Sequence, residues 1–87
     1  MAANAKPIAK PIFRDSDVRV VYKGENPYHN NDPVTTIQYC KSIEEANELE
    51  AMLDSLPRYI EFDYVTRIHD VRVEVRVDGW WVAREEL

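Results

Sequence analysis

Eighty-seven residues, 45% hydrophobic and 31% charged, describe one globular domain with a modest core. A net charge of −5 argues against non-specific nucleic-acid binding, which rests on neutralising phosphates. The single cysteine, Cys40, excludes an internal disulfide, and no apolar run approaches the ~20 residues that span a bilayer, so the expectation is a cytoplasmic protein without signal peptide or membrane contact.

Residues 1–16 read as an extended arm. Pro7 and Pro11 in "KPIAKPIF" fix φ and push the preceding residues toward extended geometry. Lys6, Lys10 and Arg14 make this arm basic, whereas residues 25–63 hold nine acids against two bases. A single α+β domain is expected over 17–87. "DVRVVYKG" predicts a strand over 17–23, bounded by Gly24. "GENPYHNNDP" is a loop of turn formers with Tyr28 and His29 at its tip. "VTTIQYCK" predicts a second strand over 34–41, paired with the first as a long-loop hairpin.

"SIEEANELEAMLDSLP" carries the clearest helix signal. Ser42 and Glu45 form a capping box, and Pro57 stops the helix near 55 or 56. Ile43, Ala46, Leu49, Leu53 and Leu56 make one apolar stripe, which requires a flat apolar surface beneath it. The outer face carries Glu44 and Glu48.

"RYIEFDYVTRIHD" alternates, with Ile60, Phe62, Tyr64 and Ile68 on one side and Asp63, Val65 and Arg67 on the other. It predicts a third strand, turning at His69-Asp70 into a fourth over 71–77. That register sets Asp63 opposite Arg76, and also Arg67 opposite Arg72, which is unfavourable and points to a longer turn or a bulge near His69. In the fourth strand Val71, Val73, Val75 and Val77 face the helix, and Arg72, Glu74 and Arg76 face away. Asp78-Gly79 is a strong signal for a two-residue turn into a fifth strand. The turn sets Val77 opposite Trp80 and Arg76 opposite Trp81. Trp80 is then expected beneath the helix and Trp81 on the charged face. The resulting fold is α+β: a five-stranded, mostly antiparallel sheet with one helix on one face, in the order β-β-α-β-β-β.

Little catalytic chemistry is on offer. Gly24 and Gly79 are the only glycines, so no glycine-rich phosphate loop exists, and CxxC, HExxH and GxSxG are absent. Two histidines and one cysteine make a thin metal inventory, and no cofactor is expected. Cys40 precedes the helix cap, where the dipole would lower its pKa, so a thiolate enzyme is one alternative. A structural cysteine is the other reading.

The stretches "YCKSIEEANELEAML" and "FDYVTRI" resemble the strand–capped helix–strand layout of small phage proteins that bind and inhibit host enzymes. The resemblance spans residues 39–68, carries over no site residue, and implies a small binding protein. The leading expectation is therefore a non-catalytic protein-binding module, an inhibitor or adaptor whose partner is another protein. Its candidate contacts are Trp81, Arg76, Glu74, Arg72 and Asp63 on the charged sheet face, Tyr28 and His29 in the loop, and Glu44 and Glu48 on the helix. Two other readings stand beside it. Trp81 can be a structural screen over an arginine stem, or be covered by Ile12 or Phe13 of the arm. The acidic helix can mimic nucleic acid.

Overall fold

The computed structural model describes residues 17–87, and the arm expected over 1–16 lies outside them. Four strands and one helix follow in the order β1 (Val18–Asn26), β2 (Asp32–Cys40), α1 (Ile43–Ser55), β3 (Thr66–Val77) and β4 (Trp80–Ala83), closed by a 3-10 turn at Arg84–Glu86. The sheet is antiparallel, in the spatial order β2-β1-β3-β4. The α+β class holds, but the sheet has four strands and not five.

The difference lies at His69-Asp70. These residues do not turn the chain. They sit inside one long strand, β3, which joins the end of the expected third strand to the expected fourth. The pairing of β1 with β3 shifts by one residue between Val21 and Lys23 and again between Lys23 and Glu25. Each shift accompanies a β3 residue with positive φ, Asp70 (φ 53°) and Arg67 (φ 53°), as in β-bulges. The apolar residues show the result. Val65, Ile68 and Val71 face the core at three-residue steps, and Val73 and Val75 follow at two.

The reversal occurs earlier. Asp63 and Tyr64 both have positive φ (52° and 67°), and Phe62 and Val65 exchange backbone hydrogen bonds of 2.9 and 3.0 Å around them. This is the geometry of a two-residue hairpin turn. Asp63 is therefore a turn residue and does not oppose Arg76, and Tyr64 is exposed instead of facing Val75. Val65, expected on the charged face, is buried in the core. Gly24 makes room for it. A β-carbon on Gly24 would lie 2.3 Å from Val65 Cγ1 and 2.6 Å from the Thr66 carbonyl oxygen.

The helix conforms to its sequence signals. Ser42 Oγ accepts from the Glu45 amide at 3.1 Å, and the Glu45 carboxylate accepts from the Lys41 amide at 2.6 Å, one residue before the cap. Leu56 caps the other end by donating its N–H to the Leu53 carbonyl, 3.3 Å away, just before Pro57. Ala46 and Leu53 are fully covered by Val18, Val20 and Tyr22 of β1 and by Val73 and Val75 of β3. Ile43, Leu49, Met52 and Leu56 pack around them.

The helix begins almost directly after Cys40, on the row shared by Val18, Val75 and Val82, and runs toward the Gly24–Val65 end. The next row outward, Val77 and Trp80, is left uncovered. Trp80 points to the helix side of the sheet as its register requires, yet it is 76% exposed and not beneath the helix. The C-terminal turn is tied to the helix by Arg84, whose guanidinium donates to Glu50 at 3.0 and 3.2 Å and also to Asn47 and Glu85.

Candidate functional site on the open sheet face

Strand alternation puts every second residue of the sheet on the face opposite the helix. On β1 these are Arg19, Val21 and Lys23. On β2 they are Tyr39, Ile37 and Thr35. β3 contributes Arg72, Glu74 and Arg76, and β4 contributes Trp81 and Ala83. Register places Arg19 between Tyr39 and Glu74, and Arg76 beside Trp81.

Glu74 is the electrostatic centre. It is only 7% exposed. Arg19 reaches one carboxylate oxygen at 2.7 and 2.8 Å, and Arg72 Nε reaches the other at 2.6 Å. Burial opposes ionisation of Glu74, but the two guanidiniums prevail and hold its carboxyl below the ordinary range. Arg76 contacts Asp17 Oδ1 at 3.2 Å.

Trp81 roofs this network. The Arg19 Cζ lies 3.9 Å from the indole centroid, and the Arg76 Cζ lies 5.4 Å from it. The Tyr39 ring approaches Trp81 to 5.9 Å at a tilt of 51°. Such cation–π contacts contribute roughly 0.5–2 kcal/mol each. Trp81 is half-buried, whereas Tyr39 (55%) and Ile37 (45%) stand open at the edge of the face. Charges of both signs meet on this side: Arg19, Arg72 and Arg76 lie around Glu74 and Asp17, and Lys23 faces Asp70 at 3.8 Å.

Of the candidates named from sequence, Trp81, Arg76, Glu74 and Arg72 come together here. Arg19 and Tyr39 were missed. Their signal is alternation with Val18, Val20 and Cys40, which becomes informative only once β1 is known to lie between β2 and β3.

The other candidates lie elsewhere. Tyr28 and Asp63 belong to the far, loop end of the sheet. Tyr28 packs edge-on against Tyr64 (5.9 Å) and donates to Glu61 at 2.6 Å, a bond that raises the Tyr28 pKa. His29 Nδ1 lies 2.7 Å from Asp32. Glu44 and Glu48 are exposed on the helix, across the sheet from Trp81. Glu48 also lines a shallow groove between α1 and β2 with Gln38, Cys40, Leu49 and Met52.

Cys40 does not carry the lowered pKa expected of a helix start. It is 3% exposed, and burial together with the nearby Glu45 carboxylate pushes the thiol up. Among the described residues, no group of three or more His, Cys, Asp or Glu is placed to hold a metal ion, and no helix is long and apolar enough to cross a membrane. Compared with family models, curated proteins and solved structures, the chain matches none.

Proposed function

We propose that this protein is a non-catalytic binding module that docks another protein on its open sheet face. The observation that carries the reading is the assembly of Arg19, Arg76, Trp81 and Tyr39 on a sheet face that α1 leaves uncovered. Trp, Tyr and Arg dominate the residues that carry binding energy at protein interfaces. Glu74 presets the guanidinium of Arg19, so less side-chain entropy is lost on docking. The resemblance of the β2–α1 segment to small phage inhibitors supports an inhibitory role, in which the module occupies the surface of a host enzyme.

The test is capture from host extract by immobilised wild type and by Trp81→Ala and Tyr39→Ala variants, followed by titration of the captured protein. Each variant is expected to bind about 30-fold more weakly, or ~2 kcal/mol, the scale of an interface hot spot. Unchanged binding by folded variants removes the open face and turns attention to the acidic helix around Glu44 and Glu48.

A further inference from the structure

We propose that the edge of β2 that is unpaired among the described residues pairs with β2 of a second copy, joining two sheets into one eight-stranded antiparallel sheet. This concerns the backbone edge of β2, whose Ile37 and Tyr39 side chains also stand on the open face, and it holds or fails without any foreign partner.

The two edges of the sheet differ. β4 has four residues and ends in a 3-10 turn anchored by Arg84. β2 has nine residues and, among the described residues, lies outermost on the other side. Exposed edges are ordinarily protected by charge, bulges or shortness. From Pro33 to Cys40 β2 carries no charge, and its pairing with β1 runs without a shift from Cys40 to Asp32. Pro33 protects only its first turn.

Hydrogen-bond parity identifies the outward groups. Arg76 N–H donates to the Asp17 carbonyl at 2.8 Å, so Asp17 and alternate β1 residues direct their backbone groups toward β3. Val18, Val20, Tyr22 and Gly24 then bond to Cys40, Gln38, Thr36 and Val34 of β2. The intervening residues, Pro33, Thr35, Ile37 and Tyr39, direct theirs away from the sheet. Proline at such an outward position costs no ladder bond.

A two-fold axis normal to the sheet keeps each face on its own side, so it must pass through a residue pair of like parity. Centred on Ile37, the axis pairs Ile37 with its own copy and Thr35 with Tyr39 of the other chain. All the outward N–H groups of Thr35, Ile37 and Tyr39 then find carbonyl partners, and Pro33 falls outside the ladder. The half-exposed Ile37 side chains meet across the axis, each beside the other copy's Tyr39. The cationic end of one strand, Lys41, comes to the acidic start of the other, Asp32. Shifting the axis by one like-parity step breaks this symmetry of use: toward Thr36 it sets Tyr39 against Pro33, and toward Gln38 it leaves Thr35 outside the uncharged run.

The test is sedimentation equilibrium of the full chain from about 5 to about 500 µM, the range in which a small strand-edge interface associates. The mass should rise with concentration from 10.2 kDa toward twice that value. Ile37→Lys and Ile37→Glu each place like charges on the axis and should each remain monomeric. Circular dichroism checks that both fold, as is expected for an exposed side chain. Mixing the two variants should restore a dimer, now heteromeric. A wild-type monomer at the highest concentration overturns the proposal. Dimers of the single variants, or a mixture that stays monomeric beside a dimeric wild type, overturn it as well.

Discussion

Single residues show where this small domain carries tension. The Tyr22 hydroxyl is buried with no hydrogen-bond partner among the described residues, and burial, with the Asp63 charge, raises its pKa. An unpaired buried hydroxyl costs about 1–3 kcal/mol. Tyr22→Phe keeps the ring against Phe62 and removes the orphan, so its urea midpoint should equal or exceed that of the wild type. Gly24→Ala should behave in the opposite sense. Its new methyl group meets a backbone oxygen at 2.6 Å, which cannot rotate away, and overpacking of this kind costs about 1–3 kcal/mol. Glu74 sets an acid dependence. Because its folded pKa is lowered, its contribution is complete above the unfolded value and is lost as the pH falls through the folded one. Glu74→Gln should destabilise by about 1–3 kcal/mol at neutral pH. It should also flatten the acid limb of the stability profile, measured as urea midpoints on either side of the ordinary carboxylate range.

At the scale of elements, the helix and the long third strand obey different rules. The helix is governed by local signals, a capping box, a stripe and a proline stop, and it lies where they predict. Its energetic anchor is Leu53, 1% exposed and surrounded by β-branched residues of the two central strands. Leu53→Ala should cost about 2–5 kcal/mol, read as a lower denaturant midpoint at unchanged slope. β3 is governed by its neighbour. Its bulges at Arg67 and Asp70 let Ile68 and Val71 reach the core while the strand stays paired to β1. Lys23 and Asp70 lie 3.8 Å apart at the first register shift, and Glu25 and Arg67 lie 3.3 Å apart at the second, so both positive-φ residues also meet charges on β1.

At the scale of the whole molecule, one helix too short to cover the whole sheet makes two unlike tryptophans. Trp80 lies beyond the helix start, and Trp81 is roofed onto arginines on the other side. The Trp81→Phe variant, which keeps Trp80, should emit at the wavelength of a solvated indole and be quenched readily by acrylamide. The Trp80→Phe variant, which keeps Trp81, should emit further to the blue and be quenched more slowly. Equal quenching of the two would contradict this arrangement. The order of environments is the reverse of that expected from strand pattern alone.

That reversal separates what was legible in the sequence from what was not. The helix and its caps and the Asp78-Gly79 turn with its register through Trp81 and Arg76 rest on interactions within a few residues of each other, and were readable; the β1–β2 hairpin was readable too, but its strands run to Asn26 and from Asp32 into the loop expected over 24–33. Also readable was the placement of Arg72, Glu74, Arg76 and Trp81 on one face, because side-chain alternation is a property of a single strand. The three-residue steps Val65–Ile68–Val71 escaped the sequence reading, where a two-residue alternation through Ile60, Phe62 and Tyr64 set Val65 on the other face. The core decided between the two, because Val65 fits against the bare backbone of Gly24 and Tyr64 does not have to be buried. Arg19 and Tyr39 joined the site only through strand order. The exposure of Trp80 depended on where the helix begins above the sheet. Both are long-range consequences of packing one short helix on four strands, and neither is encoded in the residues adjacent to those side chains.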